Sequence, residues 1–231
     1  MEGTVMRRGW SRAEMAARVA ADIPEGWVVN LGIGLPTQVA NHVPAEREVI
    51  FHSENGILGM GPAPDAGAED PFLINAGKQP VTLRPGASIV GQADSFAIIR
   101  GRHLDLCVLG GYQVAANGDL ANWSVGRKGV APAVGGAMDL GAGAARVWVL
   151  MEHCTREGEP RLVERCTYPL TALGSITRVY TDLAVIDITA RGLEVRDIVE
   201  GLSVAELRRL SGVPLIIKDI SRLNNSMVAV D

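Results

Sequence analysis

Apolar positions along the chain fall into two rhythms that alternate from the N-terminus onward. From Ser11 to Ala21 they recur at helical spacing, with Met15, Val19 and then Ile23 on one stripe. Ser11 stands where an N-cap belongs and Glu14 three residues on, the pattern of a capping box. Pro24-Glu25-Gly26 interrupts the helix, and Trp27-Val28-Val29-Asn30-Leu31 reads as a strand apolar on both faces. Gly32-Ile33-Gly34-Leu35-Pro36 predicts a tight loop, with Pro36 in the first turn of a helix running to about His42. Glu48 to Phe51 reads as a short strand that ends at His52-Ser53-Glu54-Asn55-Gly56, and a Gly- and Pro-rich loop is expected over Gly59 to Pro71.

The same alternation continues. Ser95 to Arg100 predicts a helix and Leu104 to Leu109 a core strand. Asn117-Gly118 between apolar residues reads as a hairpin turn. A helix is expected around Ala137 to Ala142 after Gly135-Gly136, and a further core strand over Arg146 to Met151. Val179 to Ile188 is β-rich, and Ser203 with Glu206 predicts a capped helix ending near Gly212. Strands apolar on both faces, alternating with helices, define an α/β class with a mainly parallel, doubly wound sheet and helices on both faces. No repeat or linker divides the chain, so a single domain over residues 1–231 is expected, with an extended tail from about residue 216. In such sheets ligands sit beyond the carboxyl ends of the strands. Asn30 to Pro36 and His52 to Gly59 are the two loops that meet this description and carry unusual residues.

Composition narrows the chemistry. With 47% hydrophobic and 21% charged residues among 231, the chain is neither disordered nor fibrous. A net charge of −4 without a basic block argues against nucleic acid. Apolar runs such as Val147 to Met151 are too short to span a bilayer, and the N-terminus lacks a signal-peptide core, so no membrane association is expected. The three cysteines, Cys107, Cys154 and Cys166, form no disulfide framework, which suits the cytoplasm. Four histidines show no metal-ligand spacing, and no metal is expected.

Gly32-x-Gly34 after a strand resembles a dinucleotide fingerprint, but the third glycine position holds Thr37. The glycines then serve a tight turn or let a large ligand approach bare backbone. There is no phosphate-cradling G-x-x-x-x-G-K motif and no G-x-S-x-G elbow. The informative residue is Glu54, a carboxylate at a strand's end followed by Gly56, Gly59 and Gly61. It reads either as a turn residue that caps a helix or pairs with an arginine, or as a nucleophile left accessible by its glycine neighbours.

Ser53-Glu54-Asn55-Gly56-Ile57-Leu58-Gly59 resembles the signature of the β-type subunit of coenzyme A transferases acting on 3-oxo acids. Asn30 to Thr37 resembles that family's upstream glycine loop, and Asn75-Ala76-Gly77-Lys78 its lysine segment. Leu120 to Trp123, Gly135 to Leu140 and Cys166 to Thr171 fit in the same order, so the resemblance covers roughly residues 10 to 215. Two departures stand out. Arg102 occupies a position where the family often has glycine, and Ser124 to Val134 departs from the basic pattern of ketone-body enzymes. That segment and Arg178 to Ile186 look closer to the branch acting on 3-oxoadipate.

The resemblance implies that Glu54 forms an acyl-enzyme and then a glutamyl–CoA thioester. It implies coenzyme A as substrate with no cofactor, and an α-type partner subunit that completes a hetero-oligomeric site. Within that chemistry Gly135 and Gly136 suit an oxyanion hole of backbone N–H groups. Asn30 suits a contact to a carboxylate or thioester oxygen. Gly32 and Gly34 suit close approach of the ligand, and Lys78 suits the anionic acid or a CoA phosphate. His52 beside Glu54 is not required, because anhydride chemistry abstracts no proton. Succinyl-CoA with acetoacetate, acyl-CoA hydrolysis, and a non-enzymatic CoA or sugar-phosphate sensor stay open as alternatives.

Overall fold

A computed structural model describes residues 9–126 and 134–217 of the protein. In chain order its elements are α1 (Arg12–Asp22), β1 (Val28–Leu31), a 3-10 helix (Leu35–His42), β2 (Ile50–Ser53), β3 (Ile57–Met60), β4 (Leu83–Ile89) and α2 (Gln92–Arg100). There follow β5 (Leu106–Leu109), β6 (Gln113–Ala115), β7 (Leu120–Ala121), α3 (Ala137–Gly143), β8 (Val147–Leu150) and β9 (Leu162–Val163). The described chain ends with β10 (Ile176–Tyr180), β11 (Ala184–Thr189), β12 (Gly192–Ile198), α4 (Val204–Leu210) and β13 (Leu215–Ile217).

Ten strands form one sheet in the order β13-β12-β11-β10-β8-β5-β1-β2-β3-β4. The middle five, β10-β8-β5-β1-β2, are parallel, as expected of strands joined by long crossovers. β5 and β8 are buried at every position, which explains their unbroken apolar sequences. Each fully buried Leu or Val contributes about 1.5–3 kcal/mol relative to exposure. Both flanks turn antiparallel, through β2-β3-β4 on one side and β10-β11-β12 on the other. Tight turns join β2 to β3, β10 to β11 and β11 to β12, and a tight turn permits only antiparallel pairing.

Four of the five described helices pack in pairs, α1 with the 3-10 helix and α2 with α3. Strand pleating sends the side chains of Asn30 and His52, which are register partners, to the same face of the sheet. On that face His52 reaches Ser95 of α2. Ser11 and Glu14 form the reciprocal capping box at the start of α1. A second sheet, β7-β6-β9, lies outside the first, and its β6–β7 hairpin turns through Asn117-Gly118, where Gly118 has φ +84°.

Several elements differ from the expectations raised by the sequence. The segment from Pro36 is 3-10 rather than α-helical. β2 lies two residues later than expected and runs up to Ser53, so Glu54 follows its last residue directly. The segment Val179 to Ile188 divides into β10 and β11 around a turn at Thr181 to Leu183, held by Thr181 Oγ1. The chain at 216 is not yet a tail, because Leu215–Ile217 pairs with β12 at the sheet's edge. The rest of the expected tail, residues 218–231, and residues 127–133 of the Ser124 to Val134 segment lie outside the described residues.

Candidate active site

The C-terminal ends of β1, β2, β5 and β8 point the same way, and the loops that leave them frame a cavity of about 510 Å³. Gly32 follows β1, Glu54 follows β2, Gly110-Gly111 follow β5 and Met151-Glu152 follow β8. This is the strand-end crevice where open α/β sheets bind ligands.

Glu54 occupies the first position of the turn from β2 to β3. The turn closes through the Gly56 N–H donating to Ser53 O at 2.9 Å, and Val90 N donates to Gly56 O at 2.8 Å. Gly56 has φ +110°, and a β-carbon there would lie 2.1 Å from Val90 O. Only glycine fits both demands. The tight turn fixes the root of Glu54 and brings its carboxylate against Gly136, whose backbone N–H favours the charged form. Bare backbone makes the approach possible, since a β-carbon on Gly136 would stand 2.2 Å from Glu54 Oε2.

Burial pushes the Glu54 carboxyl above the usual carboxylate range, the Gly136 N–H opposes that rise, and the charge of Asp139 adds to it. Asp139 is itself paired with Arg100 at 2.7 Å. No salt bridge engages Glu54 among the described residues. The group is therefore a half-buried, accessible anion rather than a structural ion-pair partner.

Beneath Glu54 lies a chain of buried polar groups. His52 Nδ1 meets Asn30 Nδ2 at 2.8 Å, and His52 Nε2 meets Ser95 Oγ at 2.9 Å. Asn30 Nδ2 also donates to His52 O at 3.2 Å, and the Cys107 thiol donates to Asn30 Oδ1 at 3.7 Å. The amide orientation assigns the imidazole: Nδ1 accepts and Nε2–H donates to Ser95. Burial holds the His52 pKa down at about 4, so the ring is neutral. Burial, with the Glu54 charge nearby, pushes the Cys107 thiol far up and keeps it protonated.

The lysine segment is stitched to the same turn. Ala76 N donates to Ser53 Oγ at 3.0 Å and Asn55 Nδ2 donates to Ile74 O at 2.7 Å. Asn75 Oδ1 caps the loop, accepting from Gly77 N at 2.8 Å and Gln79 N at 3.1 Å. Lys78 is exposed at φ +62°, one of two non-glycine residues in the left-handed region among the described residues. On the opposite wall Asn122 Nδ2 donates to Gly110 O at 3.1 Å, and Thr171 Oγ1 donates to Asn122 Oδ1 at 2.7 Å. The segments Leu120 to Trp123 and Cys166 to Thr171 thus meet at the cavity's rim.

Of the residues singled out in sequence, Glu54, Gly32, Gly135 and Gly136 line the cavity. Gly34 does not; its φ of +93° opens the 3-10 helix, and a β-carbon there would meet nothing. Asn30 is 1% exposed and lies under the floor, with its amide committed to His52 and Cys107. Lys78 stands outside the lining, on the loop that buttresses Ser53. The sequence reading missed Gly110-Gly111, for which a glycine pair after a core strand was the available signal. It also missed Arg12, Glu152 and Arg161. Nothing local distinguishes those three, because only the fold brings them to one cleft.

A mixed sheet whose strand ends present a carboxylate without a salt bridge against bare glycine backbone defines an α/β protein with a ligand cleft at its strand ends. Residues 12–209 match the family model for coenzyme A transferase, and the chain belongs to that family. It is 58% identical over 206 residues to a 3-oxoadipate CoA-transferase subunit of Pseudomonas putida, covering 89% of this chain and 96% of the relative. It is 47% identical over 197 residues to a succinyl-CoA:3-ketoacid coenzyme A transferase subunit of Helicobacter pylori, covering 85% and 94%. Among solved structures, an acyl-CoA transferase from Escherichia coli O157:H7 superposes with a TM-score of 0.71 at 17% identity. That match covers 90% of this chain but only 42% of the other, and it speaks to the fold alone.

Among the described residues no group of three or more His, Cys, Asp or Glu is arranged to hold a metal ion, and no helix is long and apolar enough to cross a membrane.

Proposed function

We propose that this chain is the glutamate-bearing subunit of a CoA transferase that moves CoA from succinyl-CoA to 3-oxoadipate through a Glu54–CoA thioester, working with an α-type partner chain. The observation that carries the reading is the Glu54 carboxylate, accessible at the cavity wall and lying against the bare backbone of Gly136. The 58% identity with a transferase subunit named for 3-oxoadipate favours that acid over acetoacetate.

The chemistry follows from the residues present. A Glu54 oxygen attacks the thioester carbonyl, the C–S bond breaks and a CoA thiolate leaves, giving a mixed anhydride. The thiolate then attacks the glutamyl carbonyl and the C–O bond breaks. Succinate is released and Glu54 becomes a CoA thioester. The second acid attacks that thioester, and the same two steps in reverse order restore the Glu54 carboxylate. No step takes up or releases a proton, so a neutral His52 below the floor has no base to supply.

Each addition creates an oxyanion near Gly135 and Gly136, where a donated backbone N–H is worth about 3 kcal/mol of barrier. Because the anhydride is hydrolysable, binding of the remote part of CoA must hold the thiolate close and exclude water.

The test uses the chain assembled with its α-type partner. After incubation with succinyl-CoA, borohydride treatment and peptide mass mapping should place the modification on Glu54, and Glu54→Gln should abolish exchange. Modification of another carboxyl group, or turnover by Glu54→Gln, would refute the reading. Steady release of free thiol without acceptor acid would make the protein a hydrolase instead.

A further inference from the structure

We propose that Arg161 sets the acid specificity of this site by binding the far carboxylate of a dicarboxylic acid substrate. The proposal rests on the Glu54 transfer reading and adds the substrate class that the cavity selects.

Arg161 is partly buried and lines the same cavity as Glu54. No salt bridge engages it among the described residues, and its Nη1 makes one long contact, 3.4 Å, to Gly111 O. A half-buried guanidinium that faces a cavity and has no carboxylate partner is free to bind an anionic group of a ligand there. The other charged groups of the cavity do not provide that partner. Glu54 sits against Gly136, and Glu152 lies 3.9 Å from the more exposed Arg12.

The side chain is also rooted rigidly. Arg161 N donates to His153 O at 3.0 Å, and Arg161 O accepts from Val114 N at 2.9 Å, just before β9 pairs with β6. These main-chain bonds on both sides of Arg161 fix the backbone from which its guanidinium reaches the cavity.

Its location fits the length of the substrate. Gly111, which the guanidinium touches, follows β5, and Glu54 follows β2, with β1 between them. Two strand spacings make the lateral separation roughly 10 Å. The terminal carbons of an extended six-carbon diacid lie roughly 6 Å apart at ordinary bond lengths. With one end in reaction contact at Glu54, the other end points its carboxylate toward Arg161, where a planar guanidinium can bind it in bidentate fashion. An acid with a methyl end, such as acetoacetate, offers no charge for that position.

The experiment uses the complex with the α-type partner. The Glu54–CoA thioester is loaded with an acyl-CoA, isolated, and discharged with 3-oxoadipate or with acetoacetate; loss of the thioester is followed by mass. In Arg161→Met the 3-oxoadipate concentration for half-maximal discharge should rise roughly tenfold or more, with the acetoacetate value unchanged. Arg161→Lys should recover part of the loss. Equal loss for both acids would mean that Arg161 serves CoA or the fold, and no change for either would mean that it binds nothing; each overturns the proposal. A wild-type complex that forms no Glu54–CoA at all would instead defeat the transfer reading on which this one stands.

Discussion

Gly136 faces Glu54 so closely that a β-carbon on it would come within 2.2 Å of Oε2 and 3.0 Å of Phe96 Cζ. The backbone at Gly136 has φ −84° and ψ 4°, in the bridge region that residues other than glycine also occupy. Of the three atoms in the way, Oε2 and Cδ belong to the end of the flexible Glu54 side chain, which can swing aside. Gly136→Ala should therefore fold normally and melt within a few degrees of wild type. Its displaced carboxylate should cost about 100-fold in exchange rate, the scale of one lost oxyanion donor. Thermal melts beside steady-state kinetics of the assembled complex check this. A large drop in melting temperature would mean that the glycine is structural.

The raised carboxyl of Glu54 gives a signed pH dependence. Attack requires the ionised form, so kcat/KM for the acyl-CoA should fall as pH decreases through a value above the ordinary 4.5. For stability the sign reverses. A carboxyl whose folded pKa exceeds its unfolded pKa favours the folded state when protonated, and its charge opposes folding above that range. Glu54→Gln at neutral pH should thus be inactive yet melt at or above the wild-type temperature. A variant that melts clearly lower would show that the carboxylate is a structural partner.

How far the sequence carried this picture depended on the kind of signal. β5 and β8 were legible because their residues are apolar throughout, as strands covered on both faces must be. The outer strands β4 and β12 were not. β4 contains Pro85 and Gly86 and is largely exposed, features that read as loop but are tolerated on an outermost strand. β12 alternates charged Glu194 and Arg196 with Leu193 and Val195, the pattern of a strand with one wet face. Glu54 was legible because its motif is local. Its contact with Gly136 was only inferable from chemistry, because the two are far apart in sequence and meet through the packing of α2 and α3. Asn30 carried a polar signal at a strand end, but register pairing with His52 turned its side chain into the floor.

His52 provides a second pH signature, separable from the first. Its folded pKa of about 4 lies below the ordinary value of 6.5. Between those values the unfolded chain binds more protons, so this residue's contribution is present above pH 6.5 and is lost as pH falls through the window toward 4. Going from about pH 7 to about pH 5 should remove about 2 kcal/mol of stability through this group. A glutamine side chain at this position would offer an amide oxygen to Asn30 and an amide N–H to Ser95, the two roles that the neutral ring plays. His52→Gln should flatten that part of the pH dependence in urea titrations. It should keep activity within about tenfold of wild type, less than the roughly 10²–10⁴ that general acid–base catalysis supplies. A larger loss of activity at unchanged stability would assign the imidazole a part in the chemistry.

Arg102 is one of two non-glycine residues among the described residues that hold a left-handed backbone conformation. It follows Gly101, which caps α2, and it holds φ +61° while its N–H donates to Ile99 O at 3.1 Å. That is the left-handed residue after a helix, where a β-carbon meets the following carbonyl at about 1–2 kcal/mol. The side chain is exposed, and no salt bridge engages it among the described residues, so little offsets the strain. Arg102→Gly removes the clash but gives the unfolded chain more freedom, an opposing effect of about 0.4–1 kcal/mol. The balance should be a gain of about 0.5–1 kcal/mol in denaturant unfolding, with exchange activity unchanged because the residue lies outside the cavity lining. A loss of stability would mean that the guanidinium has a partner in the assembled complex, and repeating the measurement with and without the α-type chain would locate it.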